Sequence, residues 1–299
     1  MLRIVEGYDG SDPSVNEEIA RLVNRYRRAV NPALYGEEDP SRVSEWFDED
    51  SLACLAYLGS QLVGIAFLRE AAMYTHLWLA VDPSYEPSYV ASEVVEWGAR
   101  EKVRRGFRKP LRVSAGYESS HVARAVRDAL CSYAVRYDTT LMRLTRAPPS
   151  IERPEGYSFR IASPSDAEQL SRVYNDAFSR YPWFRPSNPS RFEEGLRREG
   201  SLCLVAERGG EVAAFCLSRV YRALDGELSG YVALLAVSSS HRGRGLGRYL
   251  LKLSVEEMVS RGVDIRRVFL DSVEGLEGYY RAMGFVDVDR YVTFLLPYP

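Results

Sequence analysis

Histidine is scarce, with three in 299 residues, and the four cysteines never fall into a C-x-x-C pair. A structural zinc site needs several such ligands at short spacing, so no metal is expected. Long apolar runs are missing too. Stretches such as Tyr231 to Val237 fall far short of a membrane span, and the opening Met-Leu-Arg-Ile-Val-Glu lacks the apolar region of a secretion signal. These absences predict a cytoplasmic chain with no membrane partner. Nor is there an excess of one charge. A formal net charge of -2 gives no global reason to bind nucleic acid, so clustered arginines read as local ligands.

What is present is globular: 46% hydrophobic and 27% charged residues, over a length ample for two domains. The halves repeat one another. Ser11-Asp12-Pro13-Ser14 meets Ala162-Ser163-Pro164-Ser165, and Asp39-Pro40-Ser41-Arg42 meets Asn188-Pro189-Ser190-Arg191, each opening a helix. Cys54 to Phe67 around Gly59-Ser60 matches Leu204 to Leu217 around Gly209-Gly210, both hairpins. Leu79-Ala80-Val81 recurs as Leu235-Ala236-Val237, and the same displacement carries Arg105-Gly106 onto Arg261-Gly262. This pattern predicts a tandem duplication, each copy running strand, helix, helix, hairpin, strand, helix, strand, helix and a closing strand or hairpin. The proline-rich stretch from Ala147 to Pro154 divides them, giving domains 1–147 and 155–299.

The most informative segment follows Leu235-Ala236-Val237. An apolar strand passes through Ser238-Ser239-Ser240-His241 into Arg242-Gly243-Arg244-Gly245-Leu246-Gly247-Arg248 and then a helix. Glycines let main-chain amides approach an anion, the helix adds its positive end, and the arginines add charge. Arg248-Tyr249 lacks the Lys-Ser/Thr of a nucleoside-triphosphate loop, and the third glycine comes one residue early for a dinucleotide fingerprint. What fits is Arg-x-x-Gly-x-Gly at Arg242, Gly245 and Gly247. Downstream, Tyr280-Arg281-Ala282-Met283-Gly284-Phe285 fits Tyr-x-x-x-Gly-Phe. Together these resemble the two signatures of the GNAT superfamily of N-acetyltransferases.

The resemblance implies a mixed α/β fold of two tandem GNAT (acyl-CoA N-acyltransferase) domains, each a twisted mixed sheet flanked by helices. It implies acetyl-CoA as co-substrate, its pyrophosphate on Arg242 to Arg248 and its pantetheine arm along Leu235, Ala236 and Val237 where two parallel strands splay. Tyr280 takes the place of the tyrosine that protonates the departing thiolate. A phenol holds its proton at pH 7, as that role requires. Members that acetylate lysine often carry a glutamate at the position of Tyr231. Glu227 and Asp271 are substitute candidates for the general base, and solvated strand-end carboxylates are the competing reading. The aromatic and arginine-rich stretch Phe178 to Pro186 would wall the acceptor site, and its alternative role is packing between domains.

Two further points bear on function. In the first copy, Glu86, Pro87, Ser88, Tyr89 and Ala91 stand where the second has Arg242, Gly243, Arg244, Gly245 and Gly247, a change that would remove the cofactor site there. Deprotonating a lysine amine at pH 7 costs roughly 4.6 kcal/mol, against about 1 kcal/mol for a peptide α-amine. Without an evident base, the second acceptor type is favoured, as a small molecule or a peptide N-terminus. The competing class is a non-catalytic coenzyme A-binding or sensing protein. Finally, a turn at Gly209-Gly210 would set Cys203 opposite Cys216 in the distal hairpin, away from the cofactor gap. The two are small buried hydrophobes on one reading and a cross-strand disulfide on the other.

Overall fold

Short polar residues ahead of proline start the helices as the sequence predicts. Asp12 accepts the amide of Ser14, Asp39 that of Ser41, and Asn188 that of Arg191. The computed structural model describes residues 2–47, 51–131, 134–181 and 183–296. In chain order the elements are β1 (Leu2–Glu6), α1 (Pro13–Val30), β2 (Leu52–Leu58), β3 (Gln61–Glu70), β4 (Thr75–Val81), α2 (Pro87–Arg104), β5 (Leu111–Tyr117), α3 (His121–Ala129) and β6 (Ala134–Leu144). Then come β7 (Ser158–Ile161), α4 (Ala167–Phe178), α5 (Pro189–Arg197), β8 (Ser201–Arg208), β9 (Glu211–Arg222), β10 (Leu228–Val237), α6 (Leu246–Ser260), β11 (Val268–Val273), α7 (Glu277–Ala282) and β12 (Phe285–Leu296). The helix expected after Asp39 is a 3₁₀ helix, Pro40–Trp46.

The chain forms two compact units, Met1–Asp138 with Asp289–Pro299, and Thr139–Val288. They differ from the sequence-drawn domains 1–147 and 155–299, because each unit is closed by a strand from the other half of the chain. In the first, strands follow the order β1-β2-β3-β4-β5 and then the end of β12, whose Tyr291 to Leu296 pair antiparallel with β5. In the second, the end of β6 pairs antiparallel with β11, and the order continues β10-β9-β8-β7. Only β4 with β5 and β10 with β11 run parallel among the described pairings. The duplicated order is therefore kept, with the closing strands exchanged.

Both hairpins carry the same irregularity. The ladder slips between Ala56 and Tyr57 in the first copy and between Ala206 and Glu207 in the second. One extra residue reverses which face each side chain takes. Cys216 consequently stands opposite Leu204, and Cys203 opposite Leu217, correcting the expected Cys203–Cys216 register. Cys203 packs with Val205, Phe215 and Ala236 on the face covered by α4 and α5, and Cys216 with Leu250, Leu251 and Tyr280 on the other. All four cysteines are free thiols, and the disulfide is excluded by geometry.

The helix after the loop packs by Leu250, Leu251, Val255 and Met258, as its spacing predicts. Val259 is exposed, while Ser254 is buried and its hydroxyl meets that of Ser218 at 2.7 Å. Gly230 of β10 lets the helix approach, since a Cβ there would lie 2.6 Å from the Met258 sulfur. Among the described residues no helix is long and apolar enough to cross a membrane.

Candidate active site

The second unit opens along β10. This strand pairs with β11 only at Gly230–Val268, Tyr231–Phe269 and Val232–Leu270, although β11 continues to Val273. On its other side β10 stays paired with β9 up to Val237–Ala214, after a bulge between Val232 and Leu234. Leu235, Ala236 and Val237 therefore have a neighbouring strand on one side and a gap toward β11 on the other. A gap of this kind accepts an extended chain by main-chain hydrogen bonding.

At the end of β10 the chain turns through Ser239–His241 into the glycine loop. Gly243 and Gly245 have φ of 75° and 78°, the left-handed region that other residues enter at a cost. Gly245 is the N-cap of α6 and offers no side-chain cap, which leaves the first amides of that helix for another acceptor. Gly247 is required for a different reason: a Cβ there would lie 2.8 Å from the hydroxyl of Tyr279. Arg242 donates to the carbonyls of Val237 at 3.3 Å and Ala177 at 3.4 Å, Arg244 is exposed, and the Arg248 guanidinium lies 5.7 Å from the centre of the Tyr279 ring. Leu246 is buried and anchors the loop in the core.

Tyr280 is buried beneath this loop, its ring perpendicular to Tyr279 at 5.0 Å and 6.1 Å from Phe285. Gly284 ends α7 with φ of 97°, where a Cβ would strike the Arg146 carbonyl. Burial raises the Tyr280 pKa well above its ordinary value, with smaller contributions from Cys216 and Tyr181. Tyr181 belongs to the stretch after α4, in which Tyr181 stacks on Trp183 at 5.0 Å and both meet Phe178. Cys216, on β9, the strand on the paired side of β10, stands opposite Leu235 and shares a core cluster with Tyr280.

The acid–base candidates separate. Tyr231 donates its hydroxyl to Asp271 Oδ2 at 2.6 Å, joining β10 to β11 where their pairing is about to end. Glu227 is exposed in the turn before β10 rather than on the strand, its amide bonded to Asp225. That puts it at the far end of the strand from Val237, roughly 30 Å away. Two neighbours escaped the sequence reading. The Asp176 carboxylate accepts from the Ser238 hydroxyl and the Ser239 amide, and His241 Nδ1 shares a 2.8 Å hydrogen bond with the Tyr157 hydroxyl. Neither pairing has a local spacing signal, because the partners are distant in sequence. Among the described residues no group of three or more His, Cys, Asp or Glu could hold a metal.

The first unit builds the corresponding place differently. Helix α2 begins at Pro87, so the residues matching Gly243, Arg244 and Gly245 are wound into its first turn. Glu86, at its N-cap, is the one non-glycine residue with positive φ among those described.

The acetyltransferase (GNAT) family model matches residues 167–285, the span that holds the gap, the loop and Tyr280. That stretch of the second unit matches the GNAT acetyltransferases, and the whole chain shares the fold of solved tandem GNAT structures. The mycothiol acetyltransferase of Paenarthrobacter aurescens is 27% identical over 258 residues, covering 83% of this chain and 77% of that one. A tandem GNAT protein from the clavulanic acid biosynthesis pathway shares the fold with a TM-score of 0.69 at 16% identity, covering 99% of this chain and 98% of that one. A GCN5-related N-acetyltransferase from Sphaerobacter thermophilus gives a TM-score of 0.62 at 21% identity, with 98% and 95% covered. The GNAT signatures thus fall on the second unit, and the tandem order on the whole chain.

Proposed function

We propose that this protein moves the acetyl group of acetyl-CoA to a primary amine by direct attack in a ternary complex at the second unit. The observation that carries the reading is the interrupted pairing of β10 and β11, with the glycine loop at its open end and Tyr280 beneath it. In this reading the amides of Gly243 to Arg248 hold the pyrophosphate with Arg242, Arg244 and Arg248, and Leu235 to Val237 hold the pantetheine arm. The cofactor supplies the thioester.

Tyr280 acts as general acid to the sulfur. Its raised pKa does not oppose this role, because the burial that disfavours a phenolate also disfavours the thiolate formed beside it. For the opposite proton, the Tyr231–Asp271 pair supports the amine side better than Glu227 does, since it stands at the mouth of the gap. Asp271 takes the amine proton through the Tyr231 hydroxyl, which passes its own proton to the carboxylate as it receives another. A weakly basic amine, such as an α-amine, needs least help from such a relay. The relatives named mycothiol acetyltransferase support a small-molecule acceptor. The first unit takes no cofactor, because its α2 occupies the loop's place.

Thiol release from acetyl-CoA, followed over a panel of amines with calorimetric titration of coenzyme A, tests the reading. One coenzyme A per chain and amine-dependent release are expected. Two sites would return the first unit to service. Binding without release from any amine would favour a non-catalytic coenzyme A sensor, and absence of binding would overturn the assignment.

A further inference from the structure

We propose that Asp176 is a positioning residue that ties the acceptor wall to the cofactor cradle, an inference that rests on the cofactor reading above. Asp176 lies in the last turn of α4, where a carboxylate faces the negative end of the helix dipole. Two bonds offset that placement: its Oδ2 accepts from the Ser238 hydroxyl at 2.9 Å and the Ser239 amide at 2.6 Å. The Ser239 amide, first among the causes, holds the carboxyl of this exposed residue below its usual pKa. Ser239 opens the 3₁₀ turn Ser239–His241, whose own N-cap Ser238 supplies no side-chain cap. Asp176 therefore caps from a separate helix the turn that leads into the glycine loop.

The same end of α4 is held a second time. Arg242 reaches the Ala177 carbonyl at 3.4 Å and the Val237 carbonyl at 3.3 Å, bonds at the long limit that a phosphate would replace with stronger ones. The next residue, Phe178, packs on Trp183 at 5.7 Å and on Tyr181 at 5.9 Å. Asp176, Ala177 and Phe178 are consecutive, so one turn of helix carries the turn's cap, the arginine's acceptor and the base of the wall. An anion that draws on Arg242 acts on this turn, and through it on Trp183. Linkage makes the effect reciprocal: whatever fixes the wall changes anion affinity by the same factor.

Coenzyme A is the probe. Trp183 is the one tryptophan of its unit, and its emission is isolated by difference from Trp183→Phe while calorimetry reports binding. Wild type should show a Trp183 change that saturates with the calorimetric Kd. Asp176→Ala should weaken coenzyme A roughly tenfold and abolish the Trp183 response with the melting temperature in place, and Asp176→Asn, which keeps an acceptor oxygen, should fall between. If Asp176→Ala does not fold, the graded loss in Asp176→Asn carries the test. Binding without a Trp183 change, or Asp176 variants with wild-type affinity and response, would overturn this inference and leave the cofactor reading standing. No heat with wild type would overturn the cofactor reading and this inference with it.

Discussion

The Tyr231 hydroxyl donates to Asp271 Oδ2 at 2.6 Å across β10 and β11, one residue before their pairing stops. In the proposed reaction the two side chains form a proton relay at the mouth of the gap. Asp271→Asn should lower kcat roughly a hundredfold, the range of a lost general base, and Tyr231→Phe about tenfold. The double variant should be no worse than Asp271→Asn, since one relay is broken once. Steady-state thiol release with any active amine checks this, and full additivity would separate the two roles.

Tyr280 and Tyr279 are adjacent, and the proposed reaction gives them different roles. Tyr280→Phe should lower kcat roughly a hundredfold without changing the Kd for coenzyme A. Tyr279→Leu should weaken coenzyme A with little change in kcat, because it removes the ring that lies under Arg248. Calorimetry beside kinetics distinguishes them, and the reverse pattern would exchange their assignments.

The loop glycines should respond differently to alanine. Gly245→Ala forces a side chain into φ of 78°, costing about 1 kcal/mol of stability. Gly247→Ala keeps its backbone and displaces the Tyr279 hydroxyl instead, so Tyr279→Phe should partly rescue it. Thermal melts of the single and double variants measure both effects.

An acid-sensitive clamp holds β7 in place. Arg160 pairs with Asp166 at 2.7 Å and with Glu207 at 2.6 Å, and the Arg160 hydrogen bond, the largest cause, lowers the Asp166 pKa from 3.8 to about 2. A depressed carboxyl pKa stabilises the fold above the unfolded value, and that stabilisation is lost as pH falls through the folded one. Asp166→Asn should therefore cost roughly 2 kcal/mol at neutral pH and progressively less as pH falls through about 2, approaching nothing below it. Denaturant melts at both values check the sign.

Thiol reactivity should follow burial. Cys131 is exposed, while Cys54, Cys203 and Cys216 are buried, with Cys216 pushed up to about 11 by desolvation. A thiolate reagent should titrate Cys131 alone in the native protein and all four thiols after unfolding. Reductant should leave the melting temperature unchanged, and a reductant-sensitive melt would restore the disulfide.

The order of elements, the helix starts, the glycine loop and Tyr280 were legible in the sequence because each depends on neighbours within one or two turns. Pro189 behind Asn188, Gly245 at a helix start and Gly284 at a helix end carry their meaning locally. The exchange of closing strands, the opposite faces of Cys203 and Cys216, and the meetings of Tyr231 with Asp271 and Asp176 with Ser239 were decided by tertiary structure alone. Their causes are strand register and long-range closure. A single bulged residue reverses a strand's faces, and partners 40 and 63 positions apart share no spacing that a local pattern could reveal.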